Sequence, residues 1–582
     1  MDLPQTHRFL QPLGRKRLRP RTLIYMIQMK KLISRYILSA ALLLTTITGA
    51  VAQQDNNFEL SKNVEIYIDL LRQLNTAYAE NINPGDLNTT AIDAMLANLD
   101  PYTVYVPESR LEDFELMTKG EYGGIGALIQ QQDDYVVITE PYADFPAYKS
   151  GLRAGDKILT IAGESAKGKT SGEVSERLKG VPGSELNLEI LSYGDTIPRM
   201  VTVVREKIKI PNIPFSGMLS NDIGYISLSQ FNPGAAVDVQ KAFATLAENN
   251  SLKGLILDLR GNGGGLMNEA VDLANTFVPK GELIVTTKGK TRASTQVHYT
   301  RNKVIDKTIP LVVLVDENSA SASEIMAGAM QDLDRGVVVG TQTFGKGLVQ
   351  NIVALPYNSK LKITVAKYYI PSGRCIQAID YFHQKKPADS TQKADSLGAS
   401  FKTRNGRMVY EGKGIAPDIV TKPRMFSQIS GDLYAGNYIF RFANEFVLRN
   451  DSIPPVDDFY VSDSLYSEFK SFVAQQDFDY LTETETVLKQ LVASAERESY
   501  LNAVNNQLST LGDLITEEKK NDLDKHRSEI EEMLRVEIVT RYYHQPGKIQ
   551  AALQNDPEIE TAINILSDPS KYKAILSGQQ PN

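Results

Sequence analysis

The chain has 582 residues, 42% of them hydrophobic and 23% charged, with 63 basic and 70 acidic side chains and one cysteine, Cys375. That length holds about three or four domains, and the composition is that of folded protein rather than disorder. A single cysteine excludes intrachain disulfides, and the acidic balance argues against nucleic acid or an anionic membrane as partner.

From Met29 the stretch MKKLISRYILSAALLLTTITGAVAQQ sets Lys30, Lys31 and Arg35 before an uncharged run from Tyr36 and ends in Ala50-Val51-Ala52. Residues 29–52 therefore read as an export signal with a small-x-small cleavage site. A retained anchor is the lesser alternative, because the apolar run is shorter than the ~20 residues a span needs. Residues 1–28 are basic and without periodicity, and read as a non-native upstream extension. Residues 1–52 hold nine Lys or Arg and one Asp, so the exported chain would carry 54 basic and 69 acidic residues, a net charge near −15. The expected location is the periplasm, with membrane association left open.

In NVEIYIDLLRQLNTAYAE and NTTAIDAMLANLD, apolar residues recur three and four apart. Two amphipathic helices are expected, the second stopped by Asp100-Pro101, in a helical N-terminal region over 53–119. From 120 to 207 the pattern changes to a glycine-rich segment entering a strand (GEYGGIGALIQQQ), a turn and strand (SGLRAGDKILTIAG), a helix (SGEVSERLKG) and a strand pair. Over 208–425 apolar strands alternate with helices, which predicts an α/β layer structure with buried strands. Residues 384–413 interrupt it as a polar insertion that ends in a hairpin at Asn405-Gly406. Residues 426–582 carry charged helical patterns and no catalytic constellation; a packing layer is the plain reading, a dimer or adaptor surface the alternative.

Within the α/β segment, DLRGNGGGL fits neither a dinucleotide fingerprint, since Leu266 stands where the third glycine belongs, nor a phosphate loop, which needs Gly-Lys-Ser/Thr. Its exposed amides at a strand-to-helix junction suit an anion, including one present only in a transition state. Further on, ENSASASEIMAGAM places Ser319, Ser321 and Ser323 between a strand and a helix. Ser321 falls nearest the first helical turn, where a hydroxyl and free N–H groups meet; Ser319 fits an N-cap equally well. The chain has five histidines and none is close in sequence, so a base must come from elsewhere. Lys346, between Gly345 and Gly347 in TFGKGLVQ, is the candidate, because a lysine in partly apolar surroundings loses ammonium hydration and becomes a neutral amine. In an extended segment Lys346, Leu348 and Gln350 share a face, so Gln350 is expected to hydrogen-bond the amine.

Two resemblances follow from these stretches. PAYKSGLRAGDKILTIAG with YGGIGALI resembles a PDZ domain, which implies a carboxylate-binding loop at Tyr122, Gly123, Gly124, Ile125 and Gly126 and capture of a peptide C-terminus as an added strand. SASASE, AGAMQD and TFGKGLVQ, together with LDPYTVYV, DLRGNGGG, IPSGRCIQ and GIAPDI in order, resemble the carboxyl-terminal processing peptidases, also called tail-specific proteases, over about 58–422. That likeness implies a multidomain α/β (α+β) protein: a helical N-terminal region, a PDZ-like β-rich domain over 120–207, a catalytic core of crotonase or Clp-like type over 208–425 and a helical extension over 426–582. It also implies Ser321 as nucleophile, Lys346 as general base, Gln350 as its orienter, the N–H groups of Ala322 and Gly264 as oxyanion donors, protein or peptide substrates with free C-termini, and no metal or cofactor. A non-catalytic PDZ scaffold and a crotonase-like acyl enzyme are the alternatives. The intact serine, lysine and glutamine set weighs against the first, and the absence of a coenzyme-binding motif against the second.

Overall fold

In the computed structural model of the chain, which describes residues 57–111, 114, 120–220, 222–249, 252–381, 398–422, 425–476 and 478–579, four apolar runs form the centre of the α/β layer. They are Ile223–Ser227, Gly254–Asp258, Leu311–Val315 and Val337–Gly340, adjacent and parallel. Phe215–Met218 pairs antiparallel at one edge and Ile419–Val420 parallel at the other, giving six strands. Apolar runs without alternation belong to strands covered on both faces, and both faces are covered here. Helices Ala235–Asn249, Met267–Phe277 and Ala322–Asp332 close one side around Phe231, Phe277, Val313 and Met326.

The other face is closed by the far end of the chain. Helices Pro557–Leu566 and Pro569–Leu576 pack Ile559, Ile565 and Leu566 against Tyr225, Ile256 and Leu314. The Leu311 N–H donates to the Tyr572 hydroxyl at 3.0 Å. The last helices therefore complete the α/β layer, an arrangement the sequence did not disclose. The preceding helices keep a separate core in which Phe442, Phe469, Ile530 and Leu534 are buried.

A second sheet brings together distant segments. Lys360–Tyr369 pairs with Leu348–Ala354 and with both Val104–Val106 and Leu283–Gly289, and Gln296–Tyr299 joins the latter. Residues 100–106, assigned to the helical N-terminal region on sequence, thus enter this second sheet as a turn and strand. The PDZ-like segment forms its own antiparallel sheet in the order Ala127–Gln132, Tyr135–Pro141, Lys157–Ile161, Glu185–Leu191, Arg199–Val204. Its core holds Val136, Ile138, Leu152, Leu188 and Val203. Strands Ser400–Lys402 and Met408–Tyr410 form the expected hairpin, with Gly406 at φ 90°.

The described residues divide into two compact units, with the boundary between 95 and 96. In the first, a helix over 57–77 and helix Pro84–Leu96 are joined by the Tyr67 hydroxyl donating to Asn88 Oδ1 at 2.8 Å. The upstream extension 1–28, the export signal 29–52 and residues 384–397 of the insertion lie outside the described residues, as does His383. Among the described residues no helix is long and apolar enough to cross a membrane.

Candidate active site

Strand Leu311–Val315 ends in a turn that ties itself to the glycine-rich loop before helix Ala322–Asp332 begins. Ser319 Oγ donates to the Leu259 carbonyl at 2.8 Å and to Asp316 Oδ1 at 3.0 Å, and the Gly261 N–H donates to the same Asp316 oxygen at 2.9 Å. Ser323 Oγ donates to the Asn262 carbonyl at 2.8 Å. Both hydroxyls are fully buried in these bonds, which removes them as nucleophile candidates. Ser321 is half-buried, stands directly before the helix and has φ 57° and ψ −112°. A side chain holds such a backbone at about 1–3 kcal/mol of strain, and strain of this kind clusters at active sites.

One carboxylate holds that conformation. Glu324, fully buried on the first helical turn, accepts the Ser321 N–H and the Lys346 N–H on Oε2 at 2.8 and 2.9 Å. Its Oε1 accepts the Thr343 hydroxyl and the Gly345 N–H, both at 2.7 Å. Burial pushes the Glu324 carboxyl upward, opposed by these four donors. Sequence reasoning passed over this residue, although a glutamate three positions after a serine at a helix start is the spacing of a capping box.

The lysine segment is pressed against its neighbours as its glycines allow. A Cβ on Gly345 would lie 2.5 Å from Ala378 Cβ, and one on Gly347 would lie 2.6 Å from the Gln377 nitrogen. The Tyr368 hydroxyl donates to the Ser321 carbonyl at 3.1 Å and also to the Lys346 carbonyl, which fixes the two backbones side by side. Burial brings the Lys346 amine down to about 8, with Lys362 acting in the same direction and Glu324 and Asp100 opposing. Its Nζ lies 4.7 Å from the centre of the Tyr102 ring.

Two expected contacts differ from the sequence reading. Gln350 Nε2 donates to the Leu348 carbonyl at 3.2 Å and to Thr364 Oγ1 at 3.3 Å instead of meeting the Lys346 amine. The strand begins only at Leu348, so Lys346 lies before it and the alternation that one shared face requires does not reach the lysine. Thr364 Oγ1 in turn donates to Asp100 Oδ1 at 3.1 Å.

The Gly264 N–H donates to Asn262 Oδ1 at 2.9 Å, so in this conformation it is engaged within its own loop. Gly264 serves a close approach: at φ 100°, a Cβ there would lie 2.6 Å from the Ala320 carbonyl and 2.8 Å from Ser321 Cβ. The Ala322 N–H, at the first helical position beside Ser321, donates to no carbonyl among the described residues. The loop itself is anchored from behind by Arg260, whose Nη1 donates to Asp556 and Glu558, both at 2.7 Å, while Nε and Nη2 hold Asp258. The glycine-rich loop is thereby clamped to the start of helix Pro557–Leu566.

In the PDZ-like module, Tyr122, Gly123 and Gly124 belong to strand Glu121–Gly124, paired with Glu206–Lys209, and only Ile125 and Gly126 form a loop. The five-residue loop expected from sequence is thus shorter, because the glycines also permit strand pairing and the Gly123 carbonyl accepts the Gly180 N–H at 3.1 Å. The Ile125 and Gly126 N–H groups donate to no backbone carbonyl among the described residues, and that of Gly126 faces the Tyr122 hydroxyl. Ala127–Gln132, directly after the loop, is an edge strand of its sheet with Leu128 exposed.

A PDZ domain beside an α/β core that presents a strained serine at a helix start defines a serine-type peptidase. The matches to known proteins agree: the model of Peptidase family S41 matches 222–381, that of the PDZ domain 137–192, and that described as "Probable PDZ-protease, C-terminal helical domain" 429–566. A carboxy-terminal-processing protease of Bartonella bacilliformis is 35% identical over 345 residues, 59% of this chain and 78% of the relative. A carboxyl-terminal-processing protease of Synechocystis is 37% identical over 298 residues, 50% and 68% of the two chains. The chain belongs to the carboxyl-terminal processing protease family. Among solved structures, the photosystem II D1 C-terminal processing protease is 28% identical, covering 64% of this chain and 90% of that one at a TM-score of 0.34. The peptide-bound PDZ domain of a carboxy-terminal protease from Vibrio cholerae is 35% identical over 16% of this chain and 99% of that one, with a TM-score of 0.15.

Proposed function

We propose that this peptidase cleaves exported proteins with free C-termini by a serine and lysine mechanism through an acyl-enzyme. The observation that carries the reading is the joint seating of Ser321 and Lys346: one carboxylate and one tyrosine hydroxyl hold both backbones, and the buried amine is brought down to about 8. A neutral Lys346 takes the Ser321 proton as Oγ bonds to the scissile carbonyl carbon. The resulting oxyanion is received by the Ala322 N–H at the positive end of its helix. Gly264 joins as second donor once its N–H turns from Asn262. Collapse breaks the C–N bond, and the leaving amine takes the proton from the Lys346 ammonium. Water, deprotonated by the Lys346 amine, then attacks the ester carbonyl, and the Lys346 ammonium returns that proton to Ser321 Oγ as the ester C–O bond breaks and the acid product leaves. Gln350, whose Nε2 donates to Thr364 Oγ1 in the bonding chain to Asp100, orients the amine when that chain shifts.

Substrate selection falls to the PDZ module. A C-terminal carboxylate is received at the Ile125 and Gly126 N–H groups while the chain before it adds along Ala127–Gln132. The pattern at 29–52 supports export to the periplasm. A folded chain with Lys346→Arg tests the mechanism, since guanidinium stays protonated at every working pH: the reading requires it to be inactive. Turnover near the wild-type rate would remove Lys346 as base.

A further inference from the structure

The Lys346 amine and the Ser321 hydroxyl sit on adjacent backbones, yet no hydrogen bond joins them; the amine instead lies over the face of Tyr102, 4.7 Å from its centre. An ammonium at that distance is attracted by the ring quadrupole, and a neutral amine is not. The ring itself is fixed. The Tyr102 and Thr103 N–H groups both donate to Asp100 Oδ1 at 2.8 Å, and the Thr103 hydroxyl donates to Asp100 Oδ2 at 2.9 Å. Tyr381 meets the ring edge-on at 6.0 Å. The Asp100 oxygen that holds the Tyr102 backbone also accepts Thr364 Oγ1, which accepts Gln350 Nε2. A single turn, Asp100–Thr103, therefore fixes the surface under the amine and, through Thr364, is bonded to Gln350.

We propose that Tyr102 is a positioning residue for the base: its ring face seats the Lys346 ammonium in the resting enzyme and releases the neutral amine to Ser321. The proposal rests on Lys346 being the general base. The charged and titratable groups facing the amine are Asp100 from the same turn, Glu324 from the helix start and Lys362 from strand Lys360–Tyr369; those facing the ring are Tyr381, Glu324 and Asp100. Only the ring distinguishes the two protonation states by its face, so its contribution separates from theirs by substitution at position 102 alone.

The test is kcat/KM from pH 6 to 10 on the full chain with one peptide substrate. Tyr102→Phe keeps the face and is expected to superimpose on the wild type. Tyr102→Leu removes it, so the ammonium loses a favourable contact and the acid limb moves down by roughly 0.4–1.5 pH units, with the high-pH plateau changed less than about fivefold. Incorporating mono-, di- and trifluorinated phenylalanine at 102 gives the same readout at nearly constant shape, with the limb stepping down as fluorine is added, and keeps the test valid if the leucine variant does not fold. A limb unmoved across the fluorinated series, or moved upward, overturns the proposal while leaving the base reading intact. Wild-type turnover by Lys346→Arg overturns the base reading and the proposal together.

Discussion

The backbone N–H groups of Ser321 and Lys346 donate to the same oxygen, Glu324 Oε2, at 2.8 and 2.9 Å. Glu324→Gln puts an amide NH₂ or a lone carbonyl oxygen where two oxygens accept four donors. Each lost bond to the charged group costs about 1.5–3 kcal/mol, and the nucleophile and base lose their common seat. Thermal unfolding of this variant is expected at lower temperature than wild type, with kcat/KM down about 100-fold. A variant as active as wild type would show that the shared seat is incidental.

The three serines are expected to separate cleanly. Ser321→Ala abolishes turnover with an unchanged melting profile. Ser319→Ala loses the bonds to Leu259 and Asp316 and Ser323→Ala the bond to Asn262; each lowers stability by about 1–3 kcal/mol and retains turnover. Denaturant titration alongside steady-state assays of the three variants distinguishes the roles.

Lys346 also predicts a stability profile. Its folded-state value, about 8, lies below the ordinary lysine value of 10.5, so the folded state disfavours the ammonium form. The group's destabilising effect is fully present below pH 8 and fades as pH rises from 8 to 10.5. Lys346→Met is therefore expected to be more stable than wild type at pH 7 by about 1–3 kcal/mol, with the difference shrinking toward pH 10.5. Paired urea titrations at the two pH values measure this.

For the PDZ module, substrates with free C-termini are expected to be cleaved faster than the same chains amidated. A Cβ at Gly123 would lie 2.2 Å from the Gly180 carbonyl, so Gly123→Val forces apart the strand that leads into the loop. The preference for the free tail should collapse in this variant, while a short peptide too small to span both sites is cleaved as by wild type. Equal cleavage of free and amidated tails by wild type would mean that the module does not read the carboxylate.

Much of this site is visible in residue patterns because its parts are local. Unbroken apolar strands, the serine at a strand-to-helix corner and the lysine between crowding glycines each follow from a few consecutive residues. What escaped depends on contacts between distant segments. Arg260 meets Asp556 and Glu558 nearly three hundred residues later, and Asp100 meets Thr364 across the second sheet. The place of Gln350 was misjudged because the strand starts at Leu348, after the lysine, so the alternation assumed over 346–350 does not extend to Lys346. The Gly264 amide was assigned by motif, whereas Asn262, two residues earlier, competes for it in an Asx turn.

The most direct test of a Ser321 nucleophile with a lysine base is the rate of covalent labelling by a serine-reactive fluorophosphonate as a function of pH, with the site located by peptide mapping. The account predicts a single adduct at Ser321, a labelling rate that rises with a midpoint near 8, and the same profile after replacement of His298, His383, His526 and His544 together. An adduct at another residue, or a midpoint in the range of histidine that is lost with those four side chains, would contradict it.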